Sequence, residues 1–292
     1  MSDRTAFQPS HPWKRLWGAL ARKSFGFFER CFGLHVTPAD FYSPIPIVSE
    51  LPESVYGSIS ECRGIEWNER HQLELLASIV SRYSTEFVPQ QNTGLTLVDT
   101  FVLYAMIRER KPKVMIEIGA GDSTHISLCA LDRNRADGYE STLYSIEPYP
   151  RKDIQAIQRK GFELFISKVQ DVDVELLSSA DLLFIDSSHV SKIGSDVNYE
   201  IFQLLPRLQV GTLIHWHDIP MPKDYWEDWV RHGNMFWNES YILYAFLLFN
   251  SSFSIRWASQ YMYLRHFESL QNQMAFLRAN HRLSSFWVER IG

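Results

Sequence analysis

A chain of 292 residues with 45% hydrophobic and 22% charged residues has ordinary globular composition, enough for one large domain or one domain with an added segment. Its net charge of -5, with no basic region of domain size, argues against nucleic acid as a partner. Three widely spaced cysteines, no apolar run of ~18 residues and a polar Met1–Ser10 without a signal-peptide core argue against a disulfide scaffold, a membrane span and export, so a cytoplasmic protein is expected.

Pro12–Gly33 is basic and aromatic, and Trp13, Leu16, Trp17 and Leu20 recur at helical spacing. Such a stripe usually packs on the main domain or on a second subunit, which would make a homodimer. Its basic residues leave an anionic membrane surface as the alternative. His35–Pro52 holds four prolines and is expected to be extended and irregular. Glu66–Tyr83 is helical through Leu73, Leu76, Ile79 and Val80. After a polar break at Ser84–Gly94, Leu97–Arg110 forms a second helix that buries Val98, Phe101, Val102, Ala105 and Met106. Lys111-Pro112 stops it. We expect an N-terminal helical and extended arm over residues 1–95 and the main domain over 96–292.

Val114–Ile118 is an apolar run interrupted by Glu117 and closed by Gly119 and Gly121. It reads as a buried parallel strand followed by a glycine turn. Ser123 and Thr124 suit a helix cap, with Asp122 adding charge at the helix start. Strand, glycine turn and helix open a nucleotide-binding α/β sheet, which takes ligands beyond its strands' carboxyl ends. The third glycine of the dinucleotide fingerprint is replaced by Thr124, and Asp122 would repel a pyrophosphate. An NAD-linked oxidoreductase is therefore the weaker alternative. Thr142–Ile146 is a second strand ending in Glu147, placed to bond vicinal ribose hydroxyls. A helix over Pro150–Lys160 and a strand over Phe162–Ser167 follow. Gln170 or Asp171, beyond that strand, is positioned for an adenine amino group.

Ala180–Asp186 ends in Asp186, followed by Ser187, Ser188 and His189. Val197–Leu208 is a helix, with Asp196 as its expected cap. Thr212–Trp216 leads into His217 and Asp218, with His215 inside the strand. The aromatic segment Tyr225–Trp237 is either a substrate wall or packing. A helix over Glu239–Phe249 and strands at Phe253–Ala258 and Ser285–Glu289 complete the pattern. It implies a doubly wound, mostly parallel, seven-stranded Rossmann-like sheet whose last strands pair antiparallel.

The segments E-I-G-A-G-D-S-T, S-I-E-P-Y, F-I-D-S-S-H and H-W-H-D-I resemble class I S-adenosylmethionine (SAM) O-methyltransferases of the macrocin and mycinamicin sugar type. They resemble catechol O-methyltransferase more loosely. The likeness spans roughly Arg108–Phe249, with a weaker echo in H-V-T-P-A-D-F-Y-S-P-I-P. It implies SAM as cofactor, held by Glu117, Gly119, Ala120, Gly121, Ser123, Glu147, Gln170, Asp171 and Asp186. It implies a sugar or other polyhydroxylated small molecule as acceptor. It assigns Asp186 and Asp218 to a divalent cation such as Mg²⁺, and His189 to the general base. His217 stands where the family has a carboxylate. It enters as a further ligand or catalytic group, and it points to a softer ion or to no metal. A methyltransferase-like protein that only binds at a membrane surface is the alternative from another class.

Overall fold

Five short strands run side by side, and the central ones are buried along almost their whole length, as strands covered on both faces are. The computed structural model describes residues 12–89, 94–274, 276–277 and 282–292. Met1–Ser10 and the Trp13 side chain, both used above, lie outside what it describes. The strands are β1 (Val114–Ile118), β2 (Thr142–Ile146), β3 (Phe162–Phe165), β4 (Leu182–Ile185), β5 (Leu213–Trp216), β6 (Phe253–Ala258) and β7 (Phe286–Arg290). Their order is β3-β2-β1-β4-β5-β7-β6. Strands β1 to β5 pair in parallel, and β7 lies antiparallel to both β5 and β6. The sheet reverses direction at β1, the switch point beside which open α/β sheets bind ligands.

The register decides what meets at that point. Ile118 pairs with both Ile146 and Ile185, and Ile185 with Trp216. The next residues of these four strands, Gly119, Glu147, Asp186 and His217, therefore form one row. Backbone bonds carry the ladder into it: Gly119 donates to Ile146 (2.9 Å), Asp186 to Ile118 (2.8 Å) and His217 to Ile185 (2.9 Å).

Helices α1 (Pro12–Phe32), α2 (Glu69–Tyr83), α3 (Leu97–Arg110), α4 (Asp122–Ala136), α5 (Glu239–Leu247) and α6 (Ser259–Gln273) flank or precede the sheet. Helix α3 is buried on every side from Val98 to Arg108, more than the one face its periodicity implied. It carries Asp99 inward, where Ser259 Oγ (2.6 Å) and the Ser284 N–H (3.1 Å) donate to the carboxylate. The expected helix over Pro150–Lys160 shrinks to Lys152–Gln155, between Pro150 and the Gly161 turn. Val197–Leu208 becomes three helical turns of different pitch: α over Asp196–Tyr199, π over Glu200–Leu204, then 3-10 over Leu205–Arg207.

The chain divides into two compact units, residues 1–57 with 226–236, and residues 58–225 with 237–292. This differs from a division at residue 95. The reason is α2, whose Leu76, Ile79 and Tyr83 are part of the sheet's hydrophobic core. Within the smaller unit Arg231 donates to the carbonyls of Val48 (3.2 Å) and Leu51 (3.0 Å), tying residues 226–236 to the proline-rich segment.

Candidate active site

Gly119 shows why the loop after β1 must be glycine. Its φ is +88°, and a Cβ there would lie 1.9 Å from the Asp186 carbonyl oxygen. Only the bare backbone lets β1 and β4 hand their ends to one site. Gly121, with φ -165°, has open space around its Cα and caps α4.

Glu117 does not line the site. It is fully buried, and its oxygens accept from Ser123 Oγ (2.7 Å), Thr124 Oγ1 (2.7 Å) and its cross-strand neighbour Ser145. The first two are the residues read as helix caps. They instead tie the start of α4 down onto β1, and Thr124 also accepts the Gly121 N–H (3.0 Å). Burial raises the Glu117 carboxyl to about 7, against the pull of the three hydroxyl donors. The folded state thus holds the proton more tightly than the unfolded one, so this group's contribution to stability is full below pH 4.5 and is lost as pH rises to about 7. Relative to the wild type, Glu117→Gln should gain about 2 kcal/mol between pH 5 and pH 8 in urea denaturation. A difference independent of pH would contradict this.

Two adjoining cavities open over the row of strand ends. The larger, about 430 Å³, is lined by Gly119, Glu147, Val169, Gln170, Asp186 and Gly194, among others. That falls within the about 300–1,000 Å³ of small-ligand pockets. The smaller, about 260 Å³, is lined by Gly119, Ala120, Gly121, Ser123, His217 and Asp218, and shares Glu147 and Asp186 with the first. Gln170 reaches the larger cavity and donates to the Gly194 carbonyl (3.1 Å). Asp171 is exposed, lines neither cavity and ends a 3-10 turn that faces it away. Asp196 caps no helix. Ser195 does so, accepting from the Asn198 N–H (3.2 Å), while Asp196 accepts from the Ser188 N–H (2.9 Å).

The charged cluster is compact. Asp186, His217 and Asp218 each offer a ligand atom, all within 4.8 Å of one another. His217 Nδ1 lies 3.1 Å from Asp218 Oδ1 and 3.8 Å from Asp186 Oδ1. Both of its ring nitrogens are buried without hydrogen-bonding geometry to a partner among the described residues. A buried imidazole beside two carboxylates completes, in its neutral form, a donor set that a divalent ion fits. Burial pulls the His217 pKa down, but Asp218 and Asp186 outweigh it and lift it to about 9. Burial pushes both aspartates up, and the neighbouring imidazoles more than reverse it, holding them below the ordinary value.

His189 occupies the left-handed region at φ +58° and is 5% exposed. Its Nε2 lies 3.2 Å from Asp186 Oδ1 and 3.7 Å from Asp218 Oδ2, behind the carboxylates that line the smaller cavity. Its Nδ1 lies 2.8 Å from Glu239 Oε2. Burial opposes the imidazolium, but the bonds to Asp186 and Glu239 raise its pKa well above the usual value. Glu239 was not singled out in the sequence. It opens an apolar helix, where an acid reads as dipole compensation, and it lies 50 residues from its partner. His215 is structural. It stacks on Phe184 at 4.4 Å, bonds Ser285 Oγ (3.0 Å), and is held neutral by burial and by His217.

Residues 116–219 match the family model described as a methyltransferase domain. A search of curated proteins finds no match. Among solved structures, the SAH-bound methyltransferase PaMTH1 of Podospora anserina is 14% identical, over 76% of this chain and 88% of its own, at a TM-score of 0.43. The SAM-bound O-methyltransferase TomG of Streptomyces achromogenes, involved in tomaymycin synthesis, is 12% identical, over 78% and 92%, at 0.45. An O-methyltransferase of Bacillus cereus in complex with SAH is 11% identical, over 96% and 100%, at 0.41. The matched segment runs from within β1 to just past β5, the five parallel strands over whose ends both cavities open. The matched residues are those of a methyltransferase domain, set in a seven-stranded, mostly parallel α/β sheet.

Proposed function

We propose that the protein transfers the methyl group of SAM to a hydroxyl of a sugar or other polyhydroxylated small molecule. What supports the reading is the row Gly119, Glu147, Asp186, His217, with Asp218 beside it, facing two adjoining cavities. The nucleoside sits in the larger cavity, its ribose on Glu147 and its adenine edge near Val169 and Gln170. When bound, SAM supplies an electrophilic methyl carbon on a sulfonium.

Glu147 is already oriented for this task. It accepts the Tyr149 N–H (2.7 Å) and approaches the Ala120 N–H (3.4 Å), and it faces both cavities. A hydrogen bond to a charged acceptor contributes about 1.5–3 kcal/mol. Glu147→Ala should therefore weaken SAH binding about 10–100-fold in calorimetry. Unchanged affinity would refute the ribose assignment.

The acceptor enters the smaller cavity, with its hydroxyl against Asp186 and Asp218. The hydroxyl proton passes through the Asp186 carboxylate to His189 Nε2, 3.2 Å behind it, in the neutral form of the imidazole, as the oxygen attacks the methyl carbon and the carbon–sulfur bond breaks, releasing SAH. Glu239 holds Nδ1 and so fixes Nε2 as the nitrogen that faces Asp186. Asp186, His217 and Asp218 would hold a divalent ion, which supplies Lewis-acid stabilisation of developing negative charge. One imidazole among two carboxylates favours Mn²⁺, Co²⁺ or Zn²⁺ over Mg²⁺, which prefers oxygen ligands and keeps its water. Thermal melts with each ion should show a larger Tm rise for Mn²⁺ than for Mg²⁺, and His217→Asp should reverse the order. Equal melts with and without every ion would exclude the metal.

A further inference from the structure

Helix α1 is apolar on the side that its own segment leaves uncovered. Leu16, Leu20 and Phe27 share a face by helical spacing, with Trp17 adjoining it, and they are 61%, 45%, 55% and 62% exposed. The opposite face carries the helix's contacts with the segment that follows it. There Gly18 faces Pro38, Phe25 stacks on His35 with ring centroids 5.0 Å apart, and Arg22 pairs with Asp40 at 3.3 Å. A helix that packed its stripe inward would show the reverse.

Charge identifies what the open face meets. The helix sequence holds Lys14, Arg15, Arg22, Lys23 and Arg30 against the single acid Glu29, in a chain whose net charge is -5. On a helical wheel Lys23 and Arg30 fall along one edge of the Leu16–Leu20–Phe27 stripe, and both are exposed. Two copies packed stripe to stripe would bring these cations together, which is unfavourable. A span is excluded, since no helix among the described residues is long and apolar enough to cross a membrane. We infer that α1 lies in the plane of an anionic lipid surface, with Leu16, Trp17, Leu20 and Phe27 at the acyl boundary and Lys23 and Arg30 on the headgroups. An amphipathic helix with basic residues beside its apolar face binds such surfaces by burial and charge together.

The test is co-sedimentation of the full chain with phosphatidylcholine vesicles, with and without phosphatidylglycerol. Binding should require the anionic lipid, fall severalfold at high salt, and fall at least about tenfold in both Trp17→Glu/Leu20→Glu and Lys23→Glu/Arg30→Glu. Unchanged Tm in the two variants would show that each loss comes from the surface and not from unfolding. Equal binding to neutral and anionic vesicles, or binding retained in either double variant, would overturn the inference. So would absence of vesicle binding together with a dimer in light scattering that Trp17→Glu/Leu20→Glu dissociates, because the face would then belong to a second copy. None of these readings depends on methyl transfer.

Discussion

Replacing His189 by asparagine should lower kcat by about 10²–10⁴-fold, the usual contribution of a positioned general base. Asparagine tolerates the left-handed backbone at φ +58°, so the loss would report the imidazole and not the turn. SAH affinity should stay within about threefold, because His189 lines neither cavity. Glu239→Gln keeps an oxygen for Nδ1 and removes the charge. It should lower kcat by about 10–100-fold with KM unchanged, as expected of a group that orients another. Product analysis by mass spectrometry, on whichever hydroxylated acceptor the wild type turns over, reads both. Full activity in His189→Asn with loss in His217→Asn would move the base to the imidazole that lines the smaller cavity.

Gly119→Ala is the second large effect. The added methyl would sit 1.9 Å from the Asp186 carbonyl oxygen, on a backbone with φ +88°. Something must move, and both neighbours are strand ends. Backbone strain of about 1 kcal/mol for a left-handed alanine adds to the clash, so a destabilisation above about 3 kcal/mol is expected. SAH binding should fall at least about 100-fold, because the displaced carbonyl carries Asp186 with it. Gly121→Ala is the internal control. Its φ of -165° suits any residue and no protein atom lies within 4 Å of the new methyl, so stability should hold. Equal effects at the two glycines would show that the close approach at Gly119 has no importance.

The strand ends were legible because parallel pairing has a simple rule. Apolar runs ending at Gly119, Glu147, Asp186 and His217 read as strands, and sheets of this kind bind ligands beyond the carboxyl ends of their strands, which puts the four residues on one rim. The orientation of Glu117 was not legible. Its burial depends on Ser145 across the strand pair and on Ser123 and Thr124 across the turn, and a motif read along one strand ignores all three. Gln170 and Asp171 are neighbours in a 3-10 turn of which Gln170 lines the cavity and Asp171 does not, and spacing alone does not choose between them. The Ser195 cap was missed in favour of Asp196 because both residue types cap helices well. Glu239 gave no local signal, since its role arises only when the loop after β4 folds against α5. The α1 stripe was read correctly as a stripe, but periodicity does not say whether a face is covered.

The most direct measurement of the central claim is a crystal structure of the protein with SAH. The account predicts the ribose hydroxyls on Glu147, the adenine edge beside Val169 and Gln170, and the sulfur directed at the cavity between Asp186 and Asp218, with His189 Nε2 behind them. A nucleoside bound elsewhere, or a sulfur directed away from that carboxylate pair, would contradict it.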